Sequence, residues 1–203
     1  GEVLYLVTFE RIDPLYVIDL STPTDPLIAG ELTVTGFSDF LHAVNDDLLM
    51  GLGQDENGLV KLELFNVADM AAPYSLGGIS LGESRGATWG YSEARYNRHA
   101  FTYLTINDSQ DRFLVPATLS FNSADADYRQ EDSLYLFELN SKDNAALASI
   151  DMIGKITAKQ QGWRRGTTRS IIHDDAVYFI DLGAESTVWS ALWSNPSDQK
   201  GPL

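Results

Sequence analysis

The sequence predicts an all-β fold of short antiparallel strands gathered into repeated sheets. Three observations lead there. No segment sustains apolar residues at helical spacing beyond about two turns. Short runs rich in Val, Leu, Ile, Tyr and Phe alternate with clusters of Gly, Pro, Asn and Asp, the pattern of strands and tight turns. Finally, a fixed order of landmarks recurs. Val17-Ile18-Asp19-Leu20 returns as Leu64-Phe65-Asn66-Val67, with Asp19 and Asn66 47 residues apart. At that spacing Pro26 falls on Pro73, Gly30 on Gly77 and Leu32 on Ile79. Gly36-Phe37-Ser38-Asp39 returns as Gly90-Tyr91-Ser92-Glu93. A third copy sets Glu138 on Asp19 and Asp174-Asp175 on Asp46-Asp47. Strand groups repeating every ~40–50 residues cannot bury both faces alone and stack radially, which is a β-propeller. Residues 1–203 then form a single propeller region, with copies at roughly 15–66, 62–135 and 134–192. They supply about four blades' worth of four-stranded antiparallel sheets, and the expectation is a part of a larger propeller.

Each element has a local reason. Residues 3–9 alternate and are rich in Val, Leu, Tyr and Phe. The turn at Asp13-Pro14 follows because the residue before proline is pushed out of the helical region. Strands are expected over 15–20 and 27–34. The loop between them holds Pro23 and Pro26, which no strand interior accepts; Gly30 is a candidate bulge. Residues 40–44 and 48–52 form a hairpin about Asn45-Asp46-Asp47, residue types that tolerate turn geometry. Asn57-Gly58 marks the next hairpin, leading into 60–67 and 74–81. Strands are further expected over 94–96, 99–106, 113–119, 133–139, 146–153, 171–172, 176–182 and 188–192. Residues 107–132 read as a long insertion, and with the loop 84–91 they are the best candidates for a binding surface. Loops on a rigid scaffold are where function concentrates.

Composition narrows the function classes. The chain is 44% hydrophobic, so it is globular. No apolar run reaches the ~20 residues of a membrane helix. The start, Gly1-Glu2-Val3-Leu4-Tyr5, lacks a signal-peptide pattern and reads as a cut through a longer protein. There is no cysteine, hence neither a disulfide framework nor a thiolate site. With 14 Lys and Arg against 29 Asp and Glu the net charge is −15, which repels nucleic acid on average.

The stretch LYLVTFERIDPLYVIDLSTPTDPLIAGELTVTGFSDFLHAV, residues 4–44, resembles bacterial and archaeal secreted proteins with a C-terminal β-propeller domain distantly related to WD40 repeats. The resemblance continues through LLMGLGQDENG, VKLELFNVADMAAP, GYSEARYNRHAF and RRGTTRSIIHDDAVYFID; residues 189–203 depart from it. It implies a propeller and an extracellular, envelope or periplasmic location. It implies no catalytic residues, because that family is functionally uncharacterised.

Residue by residue, chemistry is sparse. Gly90-Tyr91-Ser92-Glu93-Ala94 lacks the second glycine of a nucleophile elbow, and a strand is expected after it where the elbow needs a helix. The element recurs at Gly36, so it reads as an architectural turn. His42, His99 and His173 have no metal-ligand spacing. Asp125 and Asp127, with Asn122, Glu131 and Asp132, make an oxygen-rich stretch that is a weak calcium candidate, because Gln130 stands where a calcium loop needs glycine. No other cofactor is expected. Lys155, Lys159, Arg164, Arg165 and Arg169, with Trp163 among them, form the one basic cluster. It is either an ion-pair patch between copies or a contact for an anionic partner, with Trp163, Arg164, Arg165 and Arg169 the partner-binding candidates.

The expected function is a non-catalytic binding domain of a secreted or envelope-associated protein. Its partner is the remainder of the parent protein or another protein or polymer, and two chains completing one ring is an open alternative. No nucleic acid and no membrane insertion in this segment are expected. The rival reading is a hydrolase- or lyase-type enzyme with its site in the central channel, since fold does not decide function.

Overall fold

Four antiparallel sheets follow one another along the chain, in a computed structural model that describes residues 2–8, 12–123, 126–158, 167–183 and 186–203. Sheet one holds β1 (Val3–Val7), β2 (Ile12–Asp19) and β3 (Leu27–Thr35). Sheet two holds β4 (Phe37–Ala43), β5 (Leu48–Gln54), β6 (Val60–Asn66) and β7 (Tyr74–Ser80). Sheet three is built on β10 (Asp111–Ser123), β11 (Ala126–Asn140) and β12 (Ser149–Ala158), with β8 (Trp89–Tyr91) and β9 (Thr102–Thr105) both pairing with β10. Sheet four holds β13 (Thr168–His173), β14 (Ala176–Asp181), β15 (Thr187–Leu192) and β16 (Asn195–Lys200). This is the all-β propeller architecture the repeat predicted.

Side-chain alternation sorts the faces. On β5, Leu48, Met50 and Leu52 pack with Phe113, Val115, Tyr135 and Phe137 of sheet three. Their neighbour Leu49 turns the other way, to Leu15 and Val34 of sheet one. On sheet three, Leu114, Leu134 and Leu136 turn to Val177, Phe179 and Trp189 of sheet four. The sheets therefore stack in chain order, and sheets two and three are covered on both faces. That is why β5 is buried at almost every position, as strands covered on both faces are. Burying a side chain such as Leu52 or Phe113 stabilises by roughly 1.5–3 kcal/mol each, so the three interfaces hold the stack.

One backbone bond fixes the equivalence of the sheets. Leu20 donates to the Glu2 carbonyl at 2.7 Å, Val67 to Asp47 at 2.8 Å, Lys142 to Ser109 at 3.0 Å and Trp193 to Asp175 at 2.6 Å. Each joins the end of one strand to the turn before its partner, so β1, β5, β10 and β14 are counterparts. The copies marked at 15–66, 62–135 and 134–192 each run from the later strands of one sheet into the earlier strands of the next. The partner of Asp19 in sheet three is Asn140, which ends β11, rather than Glu138. Ser141 follows it at a positive φ of 56°, so the added turn shifts the landmark.

Other expectations change. Residues 93–95 and 98–100 are 3₁₀ turns, not strands. Ser92 and Asn97 each accept an amide two residues on, from Ala94 and His99, and such caps favour a turn over a ladder. The strand expected over 99–106 shortens to Thr102–Thr105. Residues 144 and 147 donate back to 141 and 144, so the strand expected from 146 starts at Ser149. The insertion 107–132 is mostly not a loop: it lengthens β10 and β11 into one hairpin of 13- and 15-residue strands. Gly30 does sit at a register shift. A Cβ there would lie 2.1 Å from the Met70 carbonyl, so only glycine permits the approach of sheet one to that loop.

Candidate functional site

The repeated Gly-aromatic-Ser-acid element opens β4, at Gly36-Phe37-Ser38-Asp39, and runs from β8 into the following 3₁₀ turn, at Gly90-Tyr91-Ser92-Glu93. Gly36 opens it at φ 80°, where a Cβ would meet the Gln54 carbonyl at 2.2 Å. Ser92 is fully buried; its hydroxyl donates to the Pro116 carbonyl at 2.6 Å and accepts from the Ala94 amide at 3.2 Å. With both sides of the hydroxyl committed, it is a turn residue, not a poised nucleophile.

The acid of each copy reaches the next sheet. Asp39 of sheet two pairs with Arg95 in the stretch joining β8 to β9, both nearly buried. The Arg95 guanidinium lies 5.5 Å from the Phe37 ring centre and 5.0 Å from that of Tyr96. Glu93 of sheet three accepts from the Thr168 amide at 2.6 Å, the Thr168 hydroxyl at 2.9 Å and Arg169 at 3.2 Å, all on sheet four. Asn97 adds a further bond at 2.6 Å. The Thr102 hydroxyl, 2.9 Å from the Ser170 carbonyl, ties β9 to β13. What the sequence repeats is thus a tie between adjacent sheets.

A second polar centre lies on β11. Glu131, Ser133 and Tyr135 share one face by period-2 alternation. Arg85 donates to both Glu131 oxygens, at 3.1 and 3.0 Å, and Lys155 pairs with the same carboxylate. Arg85 also donates to the Tyr135 hydroxyl at 3.0 Å. Burial alone would raise the Glu131 carboxyl, but Arg85 and Lys155 hold it down at about 2. Burial, then the Glu131 charge, pushes the Tyr135 phenol well above its usual range. A permanently ionised carboxylate whose oxygens are all engaged braces the sheet and offers no base for proton transfer.

The third is Asp111, 1% exposed. It accepts from Tyr103 at 2.5 Å and from Lys142 at 2.5 Å. The His42 ring packs 4.3 Å from that of Tyr103, and burial lowers its pKa against the pull of Asp111. His99 and His173 are exposed and stand on other elements.

The basic cluster divides. Lys155 braces Glu131 and Arg169 pairs with Glu93; Lys159, Trp163, Arg164 and Arg165 lie outside the described residues. Asp125 lies outside them too, and Asp127 belongs to β11, its side chain not described. Glu131 and Asp132 of the same oxygen-rich stretch are strand residues with engaged carboxylates, Asp132 accepting from Thr118 at 2.5 Å. Among the described residues no three His, Asp or Glu side chains converge on a point a metal would occupy. A cleft lined by Val34, Phe37, Ser38, Gly51, Lys61 and Glu63 encloses about 180 Å³ even with space open to solvent, below the ~300 Å³ of ordinary ligand pockets.

Among the described residues, the outer faces of the two end sheets carry exposed apolar side chains. The outer face of sheet one exposes Leu4 and Leu6 at 46% each and Ile28 at 67%. The outer face of sheet four exposes Ile171 at 48% and Leu192 at 52%. Registers place Leu4, Ile18 and Ile28 abreast, and Ile171 beside Tyr178. The sequence marked these residues only as strand members, because alternation shows two faces without showing which one a neighbour covers.

Comparison with known proteins agrees with the architecture. The chain is 40% identical over 118 residues to an uncharacterized protein of Archaeoglobus fulgidus, covering 58% of this chain and 17% of that one. It is 35% identical over 117 residues to one of Methanocaldococcus jannaschii, with the same coverage. The match thus spans about a sixth of either relative's length. A Synechocystis apocarotenoid oxygenase mutant aligns over 98% of this chain and 45% of its own, at 11% identity and a TM-score of 0.39, too distant to carry an argument. The model of the beta propeller domain family matches residues 1–191, and with four stacked antiparallel sheets tied at their inner strands the chain belongs to that family.

Proposed function

We propose that this region is a non-catalytic interaction domain of a secreted or envelope-associated protein. Its partner is protein docked on the outer faces of sheets one and four, most directly the remainder of a longer polypeptide. The observation that carries the reading is the contrast in burial. Sheets two and three are covered on both faces, while Leu4, Leu6, Ile28, Ile171 and Leu192 lie open on the end sheets. Clustered exposed apolar residues mark interaction surfaces. The carboxylates of the repeated element support it as well, since Asp39 and Glu93 are spent on Arg95 and Arg169. The location rests on the family resemblance of residues 4–44.

The test is association of this chain with the separately produced remainder of its protein, measured by calorimetry. The double variants Leu4→Glu/Leu6→Glu and Ile171→Glu/Leu192→Glu each weaken it at least tenfold. Leu147→Glu, at an exposed position off these faces, leaves it unchanged. Equal affinity for all three variants overturns the reading.

A further inference from the structure

The shared backbone bond places three hairpin turns at equivalent points: Asn45-Asp46-Asp47 before β5, Asn107-Asp108-Ser109 before β10 and Asp174-Asp175 before β14. In the first two, an asparagine builds the turn in the same way. Asn45 Oδ1 accepts the amides of Asp47 at 3.0 Å and Leu48 at 2.9 Å. Asn107 Oδ1 accepts those of Ser109 at 2.9 Å and Gln110 at 2.8 Å. A carboxamide whose oxygen takes two backbone donors has its orientation settled, and its nitrogen lies on the opposite branch.

The two nitrogens differ in what they do. Asn45 Nδ2 donates to the Lys142 carbonyl of sheet three at 2.9 Å. Asn107 is exposed, and among the described residues its Nδ2 donates to none. The last turn residue differs too: Asp47 and Asp175 in sheets two and four are matched by Ser109 in sheet three. Asn107-Asp108-Ser109 is thereby an acceptor triplet for N-linked glycosylation, an asparagine with serine or threonine two residues on and no proline between. Such triplets are common in sequences; an exposed hairpin tip and an uncommitted amide nitrogen are what an acceptor needs besides. Of the nine asparagines in the chain, Asn195 alone shares the spacing to a serine, and Pro196 stands between. Proline there holds Asn195 in extended backbone, at the start of β16.

We propose that Asn107 is a glycosylation site, its Nδ2 taking a glycan from a polyisoprenyl-phosphate-linked donor outside the cytoplasm. This rests on the reading of the protein as secreted or envelope-associated and adds a modification that such a location permits. A bond forms between Nδ2 and the anomeric carbon of the first sugar. The bond from that carbon to the phosphate oxygen breaks, and the lipid phosphate leaves with the electron pair. The nitrogen gives one proton to a base of the transferase, and nothing is oxidised or reduced. The product suits the turn, because one N–H is replaced while Oδ1 keeps both backbone donors. It also suits docking. The turn belongs to sheet three, which is covered on both faces, so a glycan there leaves Leu4, Leu6, Ile171 and Leu192 clear.

The test is the intact mass and peptide map of the full-length protein recovered from its own cells, beside Ser109→Ala and Ser109→Thr variants made in the same cells. Protein from the envelope or the medium carries one glycan on the peptide that holds Asn107. Ser109→Ala loses it and Ser109→Thr keeps it. Folding does not confuse the result, because alanine retains the amide that Asn107 accepts and the carbonyl that receives Lys142. The unglycosylated 203-residue chain therefore melts at the same temperature with either residue. Unmodified Asn107 in protein from the envelope or medium overturns the proposal and leaves the location standing. Protein confined to the cytoplasm and unmodified overturns both. A glycan that persists in Ser109→Ala also overturns the proposal, because its attachment then does not read the triplet.

Discussion

Glu131 and Asp132 are neighbours on β11, and the fold treats them in opposite ways. Glu131 points to the side that receives Arg85 and Lys155, and its carboxyl is held at about 2. Asp132 points to the other side, toward sheet four. Burial raises its pKa, hydrogen bonds from Thr118 and Gln130 oppose that, and Asp181 and Glu131 add repulsion. The same acidic chemistry becomes a brace on one face and a liability on the other. Burial is common to both, and what separates them is a cation brought by another element: Arg85 from a 3₁₀ turn and Lys155 from β12.

The strongest way to break the contrast is Glu131→Ala. It strands two cations and leaves the Tyr135 hydroxyl without its acidic neighbour. A fully buried pair broken on one side costs ~3–5 kcal/mol. Because Arg85 and Lys155 keep about a third of their exposure, the expected loss is about 2–4 kcal/mol in denaturant unfolding at pH 7. A loss under ~1 kcal/mol shows that the cluster contributes little.

Acid titration sharpens the same point. The Glu131 folded pKa lies below its usual 4.5, so its contribution is fully present above that value. It is lost as pH falls toward 2. The expected decline attributable to this group is about 2–3 kcal/mol after allowance for the part-exposed partners. Glu131→Gln removes that part of the acid profile, visible as a flatter dependence between pH 4.5 and 2. An unchanged slope places the acid sensitivity elsewhere.

Much of this was legible before any coordinates. The offset between Asp19 and Asn66, the hairpin at Asn45-Asp46-Asp47 and the glycine punctuation placed strands and sheets, because period-2 patterning and turn chemistry are local. The cross-sheet ties were not legible. Arg95 lies 56 positions from Asp39 and Arg169 lies 76 from Glu93, and only stacking brings them together. The 3₁₀ turns at 93–95 and 98–100 were missed for a related reason. Ala94 and Tyr96 fit a strand by composition, while the caps at Ser92 and Asn97 decide the backbone. Residues 107–132 read as an insertion with a strand only over 113–119, because the polar side chains that follow suggest a loop, yet cross-strand pairing over sheet three extends them into a hairpin. Glu131 sat in view as part of an oxygen-rich stretch. Its role depended on Arg85, 46 positions away.

Asp132→Asn probes the other half of the contrast, with the opposite sign. Asparagine keeps an acceptor for the Thr118 hydroxyl and removes repulsion from Asp181 and Glu131. The folded pKa of Asp132 is raised, so ionisation is opposed in the native state. The penalty is absent below the unfolded pKa and grows as pH rises through the folded one. The variant is therefore more stable than the parent by up to ~1 kcal/mol at pH 7, and matches it near pH 3. A destabilised variant at pH 7 shows that the charge is used.

The smallest expected effects lie at the repeat landmark itself, where environment again separates two equivalent residues. Asn66 is 6% exposed; its side-chain oxygen accepts the Ala68 amide at 3.1 Å and its nitrogen donates to the Tyr74 hydroxyl at 3.0 Å. Asp19 makes the matching turn bond, accepting the Ser21 amide at 2.8 Å at an exposed site. That bond holds its carboxyl below the usual range, so what it adds is present at neutral pH and fades on acidification. Asn66→Ala removes two part-buried hydrogen bonds, the acceptor of the Ala68 amide and the donor to the Tyr74 hydroxyl, and costs about 0.5–1 kcal/mol. Asp19→Ala lowers the melting temperature by less, because water replaces the lost acceptor, and its effect shrinks below the carboxyl pKa while that of Asn66→Ala does not. Equal losses at both positions put the value of the landmark in the turn itself; no loss at Asp19 puts it in burial alone.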